Sequence, residues 1–444
     1  MTRKTRRILL GLAVVAFLII GFILLAYARG YRWDARTNKL MLSGAIYIKP
    51  LSPEKTDIFV NKKNTDEQTA ALVKNLLPSR KYQAQVAKAG YQTWQKEFEV
   101  TPGLVTEAEN IILFPEKLNL QTLLPAGNFT DFSVSPDQKS AAVKTNSAEL
   151  TFYNLSNLSA VASAEAGLSA TASPLAFPDK IKTRNIGLIK NSRGWSADSQ
   201  KFIFSRATAA KTTWYIWDSP TKKLTDLTLL YERKIVVKQP SAQPLPTKFN
   251  PAKILWFAGD SNLLVLLEDK LFRLDLANET VTDLDLSDIM DFDSYDNKII
   301  ALKNPDILLL MDSAVENVSV LGQTAFIPQR VLIAPDSGKV AYANGNALGI
   351  LWLKDTNKQP LKKSGDQEII YESSGDISDL YWHGQSEHLI FLENQTLKVA
   401  ELDTRDQVNL ALWPETVSII NYLADGAKLY LLADGAVRMA DGEF

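Results

Sequence analysis

Hydrophobic and polar positions divide the chain into three regimes. Ile8 to Ala28 is an unbroken run of 21 apolar or small residues; as a helix rising ~1.5 Å per residue, it spans a ~30 Å hydrocarbon layer. A polar stretch, 29–43, follows and reads as a juxtamembrane linker. From Gly44 the pattern changes to short alternating apolar runs: Ala45 to Ile48, Asp57 to Val60, Lys81 to Val86, Gln95 to Val100 and Ala108 to Leu113. Breaks fall at Pro53, Asn61 to Asn64, Pro78, Ala89-Gly90 and Pro102-Gly103. Period-two alternation bounded by turn residues predicts about five strands, hence a small β-sandwich over 44–115.

From Leu118 onward one unit recurs. An aromatic or aliphatic residue precedes a tight turn carrying Asp, Ser, Gly, Gln or Asn, and an apolar strand follows. Seven copies start at Phe132, Trp195, Trp256, Phe292, Ile333, Trp382 and Tyr422. Most continue through a second turn into a second strand, as in Lys270 to Leu276. Each unit is an antiparallel meander, and the later intervals are close to the ~40 residues of one four-stranded blade. The pattern predicts a β-propeller over 118–444 with seven blades. The first two intervals exceed sixty residues, which leaves a range of six to eight. Leu155 to Leu175, rich in Ala and Ser, and Gln239 to Pro251, with four prolines, read as insertions. Ring closure is expected to pair the segment Leu118 to Leu124 with the last blade, removing exposed edges.

The fold class is therefore all-β with one N-terminal transmembrane helix, a sandwich and a propeller. A chain of 444 residues is too long for one core. Lys and Arg number 49 against 50 Asp and Glu, a balance that argues against nucleic acid as a partner. Cysteine is absent, which excludes disulfides and thiolate chemistry. Arg3, Lys4, Arg6 and Arg7 make residues 1–7 a cytoplasmic tail and put the bulk outside, although Arg29, Arg32, Arg36 and Lys39 follow the run. The rival is a cleaved signal peptide ending at Ala26-Tyr27-Ala28; the run exceeds the ~7 to 15 apolar residues of such peptides, which favours an anchor.

Gly44-x-Ile46-x-Ile48, Pro53, Ile58-Phe59-Val60, Leu77-Pro78-x-x-x-Tyr82, Val86-x-x-x-Gly90-Tyr91 and Trp94 resemble a PEGA domain, a bacterial surface module. Two departures stand out: Pro53-Glu54-Lys55-Thr56 occupies the place of the family's tetrapeptide, and Pro78-Ser79 replaces Pro-Gly. The Ser-Pro-Asp and Ala-Pro-Asp turns at 135–137 and 334–336 resemble those of bacterial WD-like propellers, such as the Tol-system periplasmic protein and the propeller of prolyl oligopeptidases. The resemblance implies an extracytoplasmic location in the cell envelope.

Catalytic signatures are missing: there is no G-x-S-x-G elbow, phosphate-binding loop or H-E-x-x-H. His383 and His388 are the two histidines; they flank one turn, and a metal there needs further ligands. Asp283, Asp285, Asp288, Asp291, Asp293 and Asp296 are oxygen-rich but lack EF-hand spacing, and Asp in turns commonly bonds backbone amides. No catalytic residue, metal site or cofactor is assigned.

Candidate ligand contacts are Tyr91 and Trp94, which either close the sandwich core or form a platform for sugar rings, and Trp214 and Trp217, which alternation puts on opposite strand faces. The equivalent aromatic residues of the repeats, Trp195, Trp256, Phe292, Trp382 and Tyr422, are expected to pack blade on blade, with an aromatic-lined binding surface as the alternative. The chain thus reads as an envelope-anchored binding scaffold whose partner is a cell-wall glycan, a peptide or an envelope protein. The alternatives are a propeller hydrolase or lyase using paired carboxylates, and a purely structural spacer.

Overall fold

The computed structural model describes residues 3–51, 55–78, 80–146, 150–155, 174–175, 186–189, 193–236, 245–314 and 317–440. Most of the insertion 155–175, part of 239–251 and the tetrapeptide position 53–54 lie outside the described residues. The N-terminal run forms α1 (Arg3–Ala28), with no buried side chain, and it is long and apolar enough to cross a membrane. The helix begins at Arg3 rather than Ile8, because Lys and Arg are good helix formers and extend the turn backwards. Residues 3–7 of the basic tail are helical as well.

The chain divides into two compact units. One comprises Met1–Glu116, Thr356–Leu361 and Asp403–Asn409; the other comprises Lys117–Asp355, Lys362–Leu402 and Leu410–Phe444.

In the first unit, the stretch read as a polar linker forms a hairpin, β1 (Tyr31–Asp34) and β2 (Lys39–Leu42), with Asn38 at φ 53° in its turn. Two sheets follow. One orders β6 (Ala71–Leu76), β3 (Gly44–Pro50) and β9 (Val105–Ile111), with β3 and β9 parallel. The other orders β5 (Lys63–Asn64), β4 (Asp57–Val60), β7 (Lys81–Ala87) and β8 (Trp94–Glu99).

Alternate residues of these strands meet in one core that includes Ile46, Ile58, Ala84, Val86 and Phe98. Gly44 is required where it stands: a Cβ there would lie 2.3 Å from Val100 Cγ1. Gly90 adopts φ +80°, the left-handed turn the sequence suggested. The strands β5 and β6 were not legible, because β6 is an edge strand with Lys74 and Asn75 exposed and Asn75 itself at φ 63°.

The second unit contains seven four-stranded sheets among the described residues: 129–175, 186–226, 253–286, 289–323, 330–372, 377–416, and 419–440 completed by β10 (Leu120–Leu124). We call them blades 1 to 7. β10 pairs with the last strand in antiparallel register, Leu120 opposite Ala440 and Leu124 opposite Val437, so the ring closes as the pattern predicts.

The turn after each first strand holds at least one residue with positive φ: Gln138, Ser199, Ala258 with Gly259, Asp296, Ser337, Ser386 and Ala427. Polar and small residues tolerate that conformation best, which accounts for the recurring turn chemistry. Asp137 and Asp198 accept hydrogen bonds from Ser135 and Ser196 and from following backbone N–H groups. The long interval after Trp195 holds no further blade among the described residues. Part of its excess is helical, Leu227–Leu230 running into Tyr231–Ile235, and Leu227, Tyr231 and Ile235 are buried in the core beneath blades 2 and 3.

Candidate binding site

Each blade's first strand packs against that of at least one neighbouring blade. Just beyond each repeat's aromatic or aliphatic position, the chain turns back, so the ring has one rim built from these seven turns. A cavity of about 790 Å³ opens there. Six blades contribute Pro136, Trp195, Trp256, Pro335, Trp382 and Tyr422, and blade 4 contributes the segment 293–297. A smaller cavity of about 280 Å³ includes Trp214, Lys253, Asp291, Arg330 and Asp379 in its lining. Arg193, Asp293 and Leu332 line both.

The aromatic rings at the mouth are packing residues. Trp195, Trp256, Trp382 and Tyr422 are all under one-tenth exposed. Each of the three indole Nε1 groups donates to a backbone carbonyl of the preceding blade: Trp195 to Ser133 at 3.2 Å, Trp256 to Gly194 at 2.9 Å and Trp382 to Leu332 at 3.1 Å. This is the blade packing expected from the repeat, achieved by a polar clip as well as by area. The same residues also line the cavity.

The acids near the centre clip blades too. Asp291 accepts the Val331 N–H at 2.9 Å and Asp293 accepts the Ile333 N–H at 3.1 Å, tying blade 4 to blade 5. Asp379 accepts the Ile420 N–H at 3.3 Å, tying blade 6 to blade 7. Cations balance two of them: Lys253 Nζ lies 2.7 Å from Asp291, and Arg193 lies 3.1 Å from Asp293. Tyr430 Oη donates to Gln138 at 3.3 Å, from blade 7 back to blade 1.

The acidic run read at 283–296 is therefore dispersed. Asp283 bonds the Asp285 N–H, Asp291 and Asp293 face the centre, and Asp296 sits exposed in a turn. Among the described residues, no three His, Cys, Asp or Glu side chains converge as metal ligands. His383 and His388 do approach across their turn, ring centroids 5.8 Å apart, and His383 stacks on Tyr422. Burial, with a smaller contribution from the His383 charge, holds His388 down at about 3.

The four residues singled out from sequence are not brought together. Trp94 is 4% exposed in the sandwich core, 6.3 Å from Phe98. Tyr91 is half-buried beside that core, with Lys88 Nζ 3.9 Å from its ring centre. Trp217 is buried and stacks on Phe152 at 5.9 Å. Trp214, on the face opposite Trp217, is half-buried beside Ile216 and lines the smaller cavity. For the residues at the larger mouth the sequence favours blade packing over an aromatic-lined surface, and the structure shows both roles in Trp195, Trp256, Trp382 and Tyr422. The signal for the second role is their equivalence from blade to blade.

No protein-family model matches the chain, and no curated protein sequence matches it. Solved structures that it resembles include the β-propeller domain of Cps50 (Swd1) from Myceliophteria thermophila, at 11% identity and TM-score 0.46, covering 73% of this chain and 99% of that one. Hsv2 of Kluyveromyces lactis aligns at 13% identity and TM-score 0.43, over 69% of this chain and 90% of its own. PorZ, a bacterial surface component of the type-IX secretion system of Porphyromonas gingivalis, aligns at 12% and 0.42, over 72% and 37%. The propeller assignment stands on the sheet order and the closing pair of strands.

Proposed function

We propose that the chain is a membrane-anchored binding scaffold of a bacterial cell envelope, held by α1 with both compact units outside the cytoplasm, and that the mouth of the propeller recognises a protein, peptide or glycan partner. The observation that carries the reading is the make-up of that mouth. Trp195, Trp256, Trp382 and Tyr422, from four blades, line it together with an Arg193–Asp293 pair, and the three indoles are clipped to the preceding blade. A concave surface that mixes fixed aromatic rings with charged and polar groups suits a glycan or a peptide. Because Asp291 and Asp293 are both engaged in clips and ion pairs, we read the mouth as a recognition site rather than a catalytic one. The first unit, PEGA-like in its Gly90-Tyr91 turn and Trp94, acts in this reading as a stalk.

A photo-crosslinking residue at Asn297, exposed on the mouth, tests the site in native membranes; the same residue at Val320, on the outer strand of blade 4, is the reference. An adduct at 297 and none at 320 is expected. A turnover activity lost in Asp293→Ala with the fold intact would overturn the reading. A C-terminal epitope that resists protease on intact cells, and is digested only after permeabilisation, would overturn the outward placement.

A further inference from the structure

The hairpin that follows α1 wears its apolar side outward. Tyr31 pairs with Leu42 and Trp33 with Leu40, while Arg32 pairs with Met41 and Asp34 with Lys39. Alternation therefore gathers Tyr31, Trp33, Leu40 and Leu42 on one face. In a water-soluble domain that face turns inward. Here the polar face is the covered one: Asp34 has no exposure and binds Arg80 at 2.9 Å and Thr37 Oγ1 at 2.8 Å, and Arg32 donates to Asn75 at 2.6 Å. Trp33 is 59%, Leu40 47% and Tyr31 38% exposed. Leu104, in the loop tied to the hairpin's end by the Gly103 N–H to Ser43 O, is 60% exposed.

Continuity and charge say what covers this face. The Arg29 and Gly30 N–H groups still bond the Leu25 and Tyr27 carbonyls, and Ser43 closes back onto Gly30 O through its N–H and its hydroxyl. The Arg32 guanidinium lies 3.6 Å from the centre of the Tyr27 ring. The hairpin is thus fastened to the end of the apolar helix. Residues 29–43 carry Arg29, Arg32, Arg36 and Lys39 against the single acid Asp34. Exposed Trp and Tyr beside basic residues suit the boundary between hydrocarbon and water on an anionic lipid surface.

The geometry points to a lipid-docked hairpin: the Tyr31–Trp33–Leu40 face lies in the interfacial layer of the leaflet from which α1 emerges, with Arg29, Arg36 and Lys39 on anionic headgroups. It rests on the reading of α1 as a membrane span. Docking there gives the first unit a second attachment besides the helix.

The chain has no cysteine, so a single introduced one can be labelled uniquely. Full-length chains carrying Leu40→Cys, Val320→Cys or Phe17→Cys, each with an environment-sensitive fluorophore, are reconstituted into phosphatidylcholine vesicles with and without phosphatidylglycerol. Position 40 is expected to be quenched by a headgroup-depth lipid quencher and shielded from iodide, position 320 to show the reverse, and position 17 to be quenched from the bilayer centre. Each basic residue contributes about fivefold to docking on an anionic surface. Arg36→Gln with Lys39→Gln therefore lowers the docked-to-undocked ratio about 25-fold and raises iodide access at position 40.

Iodide access at 40 equal to that at 320, with 17 still quenched from the bilayer, overturns this inference alone. Loss of bilayer quenching at 17 overturns the anchor reading. Shielding of 40 from both quenchers means a protein cover, a second copy or a partner, and overturns the lipid assignment. Lipid quenching indifferent to phosphatidylglycerol and to the two substitutions overturns the role given to anionic headgroups.

Discussion

Acid should weaken the propeller through one side chain. His388 stands on the second strand of blade 6, fully enclosed, and burial together with the His383 charge lowers it from 6.5 to about 3. The folded state keeps the imidazole neutral while the unfolded chain protonates it below 6.5, so the unfolded state binds more protons and stability falls with falling pH. The contribution is fully present above pH 6.5 and is lost progressively towards pH 3. Each unit is worth about 1.4 kcal/mol, so the loss is about 2 kcal/mol at pH 5 and about 5 kcal/mol when complete. Against a typical domain stability of about 5–15 kcal/mol, that is a large fraction.

The comparison is with His388→Leu, which fills the apolar site and cannot titrate. Urea unfolding of both proteins in detergent, followed by tryptophan fluorescence at pH 8 and pH 5, isolates the effect, since every other ionisable group is common to the two. The native protein should lose about 2 kcal/mol more than the variant over that interval. Equal losses would refute the reasoning, because they would mean that His388 takes up its proton without leaving the fold.

Trp256→Phe removes one of two donors to Gly194 O, which keeps the Ile203 N–H; a loss of about 0.5–1.5 kcal/mol is expected from urea unfolding, and a loss under about 0.5 kcal/mol would show that water replaces the clip. Asp293→Ala strips the Ile333 N–H of its acceptor and should cost about 1–3 kcal/mol, while Asp293→Asn, which keeps a carbonyl oxygen, should cost clearly less; equal losses would point to the Arg193 pair instead. Leu124→Asp puts a charge where β10 is 2% exposed and should lower soluble yield and unfold the ring at lower urea; unchanged stability would mean that the closing strand is dispensable. Tyr422 and Tyr430 are both pushed up to about 12 by burial. Stability present below pH 10 should therefore fall between pH 10 and 12, checked by the ultraviolet absorbance of tyrosinate; ionisation of all tyrosines in one step near pH 10 would contradict it.

The ring was legible because its signals are local and repeated. One turn residue in the left-handed region, one residue before it and one apolar strand after it recur seven times, and the leftover segment Leu118 to Leu124 had one place to pair. What escaped was structure whose signal is one-sided or brief. The helical turn Leu227–Tyr231–Ile235 has its apolar residues four apart, but it sits beside a proline-rich loop that dominated the reading. The hairpin at 31–42 alternates as a strand should, yet its many basic residues made it look like a linker. The mouth was only half legible for a different reason: burial and lining were treated as alternatives, whereas Trp195, Trp256 and Trp382 are buried between blades and line the cavity as well. Trp94 and Trp217 were attractive because they are large, and large rings are what cores use first.

The closing pair also decides how the propeller carries load. Tension that travels along the chain from the N-terminal side enters the ring at β10, the outermost strand of blade 7, whose partner is the last described strand. The two strands are antiparallel. A pull at β10 against resistance elsewhere on the ring therefore slides β10 along Ala436–Ala440 and loads the bonds of that short ladder together rather than one by one. The clasp resists such shear and yields easily to peeling. Force spectroscopy with handles at Lys117 and at the mouth should show one abrupt rupture that opens the ring, with the remaining six blades following at lower force.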